Sequence, residues 1–260
     1  MRTSFQHLSL KISALSLSLL FLAYPAQSQE SSASLIEEII VTSQRTEESL
    51  QDVPIAVTAL TSSMLEDMQI EGGSDLQLVT PSLSFQGSDA TGGAFNIRGI
   101  TNLAVSPTAE SGVEIHVNDL PVGATTMQDG DFLDMERIEV LRGPQGTLYG
   151  KNSVGGVINL ITAKPQFGQT FGSMTLEKGS YDLVKTKMMF NMPIGDSLAL
   201  RIAGASNDRD GDIKNIYSKA KTSHVNNRNS GAYRISLAWD ATDRTDVLFV
   251  HENYSENSMR

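Results

Sequence analysis

The 260 residues contain no cysteine, only 6% aromatic side chains, and fewer basic groups than acidic ones. The lack of thiols suits an oxidising compartment, where stray ones are a liability. A net charge of -10, with no clustered basic residues, excludes nucleic acid as a partner, because nothing is in place to neutralise phosphates. Catalytic and metal-ligating constellations are missing too. His116 and His224 stand far apart without ligand-spaced neighbours, and no nucleophile elbow supports a Ser-His-Asp arrangement. Asp208, Asp210 and Asp212 alternate around Gly211, but a calcium loop needs another glycine offset and a closing Glu. Gly150-Lys151 fails as a phosphate loop, since Gln145 and Asn152 stand where glycine and a hydroxyl residue belong. No enzyme, cofactor or metal site is expected.

A long hydrophobic run is also lacking. Ile12 to Tyr24 is apolar apart from serines, which is shorter than the roughly 20 residues that a membrane-spanning helix needs. Arg2 and Lys11 precede or open this run, and Pro25-Ala26-Gln27-Ser28 follows it with small residues at a cleavage position. Residues 1–28 therefore read as a removable export signal. Polar residues follow, then the β-prone run Leu35 to Ser43 and a second polar stretch, Gln44 to Ser49. A strand flanked in this way has no local partner, so its backbone is open to pairing with another chain.

From Asp52 the signals are those of a small α+β domain. Asp52 to Leu60 reads as a strand. Ser63 and Glu66 suggest a capping box that opens a short helix to about Ile70. Ser74 or Asp75 caps a second helix that Pro81 closes. Strands are expected at Leu83 to Gln86, Ala94 to Arg98 and Val113 to Val117. The turn Asn118-Asp119 uses two residues that tolerate the left-handed region, and an acidic loop covers Asp129 to Asp134. Between the apolar runs of Glu136 to Thr162, glycine recurs at 143, 146, 150, 155 and 156. Ile138, Val140, Leu141, Leu148 and Tyr149 anchor that stretch, so it is a bent, packed backbone and no linker.

After Pro165 the period becomes two. Val184, Thr186, Met188, Phe190 and Met192 alternate with Lys185, Lys187, Met189 and Asn191. Leu198, Leu200 and Ile202 alternate with Arg201, and Tyr233, Ile235, Leu237 and Trp239 with Arg234 and Ser236. Five strands are expected, with a long polar loop over Asp208 to Ser230. A soluble sandwich with its apolar face inward and a membrane barrel with that face outward share this pattern. The short turns at Pro193 to Ser197 and Ala241 to Arg244 would share one end, which is the barrel habit.

As a string, Arg137 to Thr162 closely resembles the end of the plug domain of TonB-dependent outer-membrane receptors. Phe95 to Gly99 and Val113 to Val122 resemble plug segments in matching order. Pro193 to Ser197 is similar to the family's first periplasmic turn. The resemblance implies a signal peptide at 1–28, a periplasmic segment at 29–50, a plug at 51–164, and the first barrel strands at 165–260. The fold class is then an α+β plug followed by antiparallel strands of an incomplete transmembrane β-barrel, since plugged transporters close at about 22 strands. Glu38, Ile39, Ile40, Val41, Thr42 and Ser43 resemble the TonB box, the strand taken by the TonB energy-transducing protein of the inner membrane. Arg98 and Arg142 match plug arginines that contact the barrel wall. The implied function is active uptake of a scarce nutrient across the cell outer membrane, with a ferric siderophore or similar metal chelate as the expected cargo and outer-membrane lipid around the strands. The alternative is a non-transporting plug-bearing periplasmic module or a signalling receptor.

Overall fold

In the computed structural model, described residues are 38–88, 92–101, 111–122, 131–217 and 223–258. The export signal thus lies outside them, as do Asp129 and Gly130 of the acidic loop. The amino-terminal hairpin is β1 (Ile40–Val41) and β2 (Glu48–Ser49). Then come β3 (Ala56–Thr61), α1 (Ser62–Asp67), a 3-10 turn (Gly73–Asp75) and α2 (Leu76–Val79). Strands β4 (Leu83–Ser88), β5 (Gly92–Ile97), β6 (Val113–Val117) and β7 (Leu120–Pro121) follow. The glycine-rich stretch becomes β8 (Met135–Arg142), α3 (Gly146–Tyr149) and β9 (Gly156–Thr162).

These elements build a five-stranded sheet in the order β3-β8-β9-β6-β7, antiparallel throughout except for the parallel pair β6/β9. One face carries Leu60, Ile138, Val140, Ile158 and Ile115, which pack with Leu65, Leu76, Phe95 and Ile97 from the helices and the β4-β5 hairpin. Burying each such side chain contributes about 1.5–3 kcal/mol. The opposite face packs Leu141 and Val157 with Tyr149 of α3. Gly156 is required where β9 starts, because a Cβ there would lie 2.2 Å from the Leu141 carbonyl oxygen and 2.8 Å from Ile97. Asn118 and Asp119 both take positive φ, 48° and 67°, as a tight hairpin turn demands.

The second sheet is an antiparallel meander: β10 (Phe171–Lys178), β11 (Val184–Ile194), β12 (Leu198–Arg209), β15 (Arg228–Thr242) and β16 (Thr245–Glu256). The little hairpin β13 (Ile213–Lys214) and β14 (His224–Val225) sits between β12 and β15. Met188, Phe190, Ile202, Tyr233, Ile235, Trp239 and Phe249 of the meander are exposed, Phe249 by 60%. The residues alternating with them are buried: Lys185, Asn191, Arg201, Arg234 and Ser236. Polar inward and apolar outward is the reverse of a soluble sandwich, and it resolves the ambiguity of the period-two pattern in favour of a barrel wall. No helix among the described residues is long and apolar enough to cross a membrane.

Three expectations need correction. The strand at Ile40–Val41 does have a local partner, since Ile40 pairs with Ser49 and Val41 with Glu48. The polar stretch Gln44 to Ser49 turns the chain back on itself, so its polarity marked a hairpin. The first helix is capped by Thr61, whose hydroxyl accepts from Met64 N at 3.4 Å, two residues before Ser63. Finally, the polar region Asp208 to Ser230 is no open loop. β12 and β15 extend into it, and β13-β14 pairs within it, because cross-strand pairing satisfies backbone groups whatever the side-chain polarity.

Candidate functional site: the seat of the amino-terminal strand and the seam between the sheets

Val41 and Ser43 are 0% and 1% exposed, so this segment is docked. Thr42 donates its N–H to Glu139 Oε1 at 2.8 Å, and its hydroxyl to the same oxygen at 3.3 Å. The Tyr149 hydroxyl donates to the Ser43 carbonyl at 3.1 Å. Leu50 N–H donates to the Ile39 carbonyl and Arg45 N–H to that of Thr42, each at 2.9 Å. Burial pushes the Tyr149 phenol up to about 12, Glu139 adds to this, and Arg45 opposes it. The phenol therefore keeps its proton at neutral pH and remains a donor. Arg45 lies over the Tyr149 ring at 4.7 Å and pairs with Asp119 at 3.1 Å, which pins the turn between β1 and β2.

Glu139 is fully buried on β8. Arg137, two residues earlier on the same face of the strand, reaches it through Nε at 2.9 Å and reaches the Thr42 hydroxyl through Nη2 at 3.2 Å. It also pairs with Glu136. The pairing of Glu139 with Arg137 is what makes a fully buried carboxylate tolerable.

A second constellation joins the two sheets. Glu71 receives Lys187 at 2.9 Å and also pairs with Lys185. Phe132 N–H donates to the Glu71 carbonyl at 2.7 Å, which places the Asp131–Asp134 segment beside Glu71. Asp131 accepts from Arg228 at 3.2 Å, Ser230 at 3.1 Å and Asn207 at 3.3 Å. Asp134 holds Arg201 through two bonds of 2.6 and 2.7 Å. Arg234, 2% exposed, donates to the Leu133 carbonyl at 2.7 Å and to Glu252 at 2.7 Å. Burial pushes the Glu71 carboxyl up, but the two lysines outweigh it and hold it below its ordinary value of 4.5. Acidic residues of the amino-terminal part and basic residues of the meander thus form a charged seam.

Sequence reasoning found the docked strand but not its seat, and it missed the seam. The signal for the seam was present: acids at Glu71, Asp131 and Asp134, and Lys or Arg on β11, β12 and β15 that pair with them. Arg98 is exposed, with φ 54°, and its guanidinium lies near Gly143. Arg142 is half-buried, and its Nε has no hydrogen-bond partner among the described residues. Among the described residues, neither arginine bonds to the five strands of the wall. A cavity of about 830 Å³ opens between the sheets, where Glu66, Glu71, Asp134, Glu177, Lys187 and Arg201 are among its lining residues. No cluster of metal-ligating side chains occurs among the described residues.

Residues 49–157 match the family described as the TonB-dependent receptor plug domain. An iron-regulated outer membrane virulence protein of Vibrio cholerae is 28% identical over 68% of this chain and 28% of its own length. The metal-pseudopaline receptor of Pseudomonas aeruginosa is 26% identical over 58% of this chain and 20% of its own. The ferric yersiniabactin uptake receptor of Yersinia pestis has the same fold, with a TM-score of 0.69 at 24% identity over 77% of this chain and 31% of that one. The chain thus spans under a third of the length of these proteins.

Proposed function

We propose, from the match of residues 49–157 to the TonB-dependent receptor plug domain, that this protein is an outer-membrane active transporter that takes up a metal chelate, a ferric siderophore or a close analogue. The observation that carries this reading is the inverted wall, with lysines and arginines turned to the plug and Phe190, Ile202, Ile235 and Phe249 turned out. That arrangement suits a lumen filled by a plug and an outer surface in lipid. The outermost strands β10 and β16 each have only one neighbour among the described strands. Backbone groups cannot stand unpaired in lipid, so the working barrel includes further strands beyond these five.

The cargo class rests on what the relatives are named for, an iron-regulated outer membrane virulence protein and a metal-pseudopaline receptor. Glu38 to Ser43 is the strand that the inner-membrane energy-transducing protein captures. Its backbone is occupied by the plug in this conformation, so it is delivered only when that seat lets go. Arg98 and Arg142, which make no bond to these five strands among the described residues, contact other strands of the wall.

Uptake of a radiolabelled ferric chelate by iron-starved cells tests the reading. Deleting residues 38–43 should abolish uptake while leaving cell-surface binding intact. Undiminished uptake would overturn it, and sedimentation of the protein with the soluble fraction without detergent would exclude the barrel.

A further inference from the structure

The face of the plug that seats the amino-terminal strand carries a polar row with incomplete hydrogen bonding. Glu139, Asn159 and His116 lie in register across β8, β9 and β6, and none is more than 2% exposed. Among the described residues, Glu139 Oε2, both polar side-chain atoms of Asn159 and His116 Nε2 have no hydrogen-bond partner, and neither has the buried hydroxyl of Ser43 in the docked segment. Buried polar atoms left in this state call for an explanation. Packing alone would favour apolar side chains at these positions.

We propose that Glu139 is the catch that holds the segment Val41–Ser43 on the plug, with the unpaired row as the counterweight that favours its release. The catch is the bond from Thr42 N–H to the buried carboxylate. A strand-adding partner needs the same backbone N–H, so capture and docking compete for one hydrogen bond. When Thr42 leaves, Arg137 stays on Glu139, and the seat never holds a bare buried charge. Lifting the segment also lets water reach atoms that docking leaves unpaired, which offsets part of the loss. Glu139 acts through the segment it positions; it touches no cargo. The inference rests on the reading of Glu38 to Ser43 as the captured strand.

The absence of cysteine makes the test direct. Ser43→Cys is nearly isosteric at a hydroxyl without a partner, and it supplies a single thiol for maleimide in isolated outer membranes that carry the protein as its gene encodes it. Glu139→Leu should raise the labelling rate at position 43 about tenfold or more, the scale expected for losing a charged hydrogen bond. Glu139→Gln, which retains an acceptor without the charge, should give a smaller rise. Ala94→Cys, on the buried β5, reports loosening of the whole plug and should stay unlabelled. A wild-type rate at position 43 in Glu139→Leu overturns the proposal. Should that variant also expose position 94, Glu139→Gln decides, and a wild-type rate there overturns it. Adding the purified periplasmic domain of the host's TonB protein separates the two readings. Faster labelling together with increased cross-linking at position 43 supports both, whereas faster labelling without cross-linking supports the catch and removes the capture reading beneath it.

Discussion

Asp134 and Arg201 meet through two bonds, Nη2 to Oδ1 at 2.6 Å and Nε to Oδ2 at 2.7 Å, and both side chains are about nine-tenths or more buried. The pair ties the residue just before β8 in the plug to the first half of β12 in the wall. Two parallel bonds between planar groups fix orientation as well as distance. Removing one partner strands the other charge. Asp134→Ala should therefore destabilise the plug against the wall by about 3–5 kcal/mol, measured as a fall in the urea midpoint of the detergent-solubilised protein. Glu136→Ala, at a carboxylate that is 42% exposed, should cost less than about 1 kcal/mol. Equal losses from the two would show that the seam does not hold the plug.

Glu71 makes the same seam acid-sensitive. Its carboxyl is held below the ordinary 4.5 by Lys185 and Lys187, which outweigh its burial. A lowered folded-state value means that the contribution is fully present above about pH 4.5 and is lost as pH falls through the lowered value. The unfolding midpoint should fall on acidification below that point, and Glu71→Gln should flatten that part of the profile. An unchanged slope in the variant would remove Glu71 as its source.

Gly156 and Gly146 predict opposite responses to one methyl group. At Gly156 the Cβ would sit 2.2 Å from the Leu141 carbonyl oxygen, whereas nothing lies within 4 Å of one at Gly146 in α3. Gly156→Ala should lower stability by about 2 kcal/mol or more, the scale of forced backbone strain. Gly146→Ala should be neutral or gain up to about 1 kcal/mol from the helix preference for alanine. Thermal unfolding of the two variants side by side measures this, and a harmless Gly156→Ala would mean that β9 can move away from β8.

Ile202 sits on the outer face of β12, between Phe190 and Ile235 in register. In lipid, Ile202→Arg should cost about 2–4 kcal/mol, read as lost heat-modifiable mobility of the folded barrel on gels. Thr175→Arg, on the inward-facing set of β10 beside the cavity, should leave that mobility intact. Equal tolerance of both would contradict the outward orientation of the apolar face.

Much of the fold was legible as pattern. The period of two placed β11, β12 and β15, and the apolar anchors with five glycines marked β8, β9 and the bend between them, though not the short helix α3. The left-handed tolerance of Asn118 and Asp119 located a turn. These are local properties: side-chain alternation and backbone sterics act over two to four residues and need no partner. The tertiary structure decided which face of each wall strand is buried, because alternation defines two faces and only the opposing surface selects one. Here that surface is Glu71, Asp131 and Asp134, so the charged face went inward. It also decided the state of Glu38 to Ser43. A β-prone run looked unpaired because its neighbours were polar, yet Ser49 closes a hairpin with it and Glu139, 97 residues beyond Thr42, supplies the acceptor that seats it. A hydrogen bond across that separation leaves no trace in local periodicity, since it depends on where folding brings a buried carboxylate.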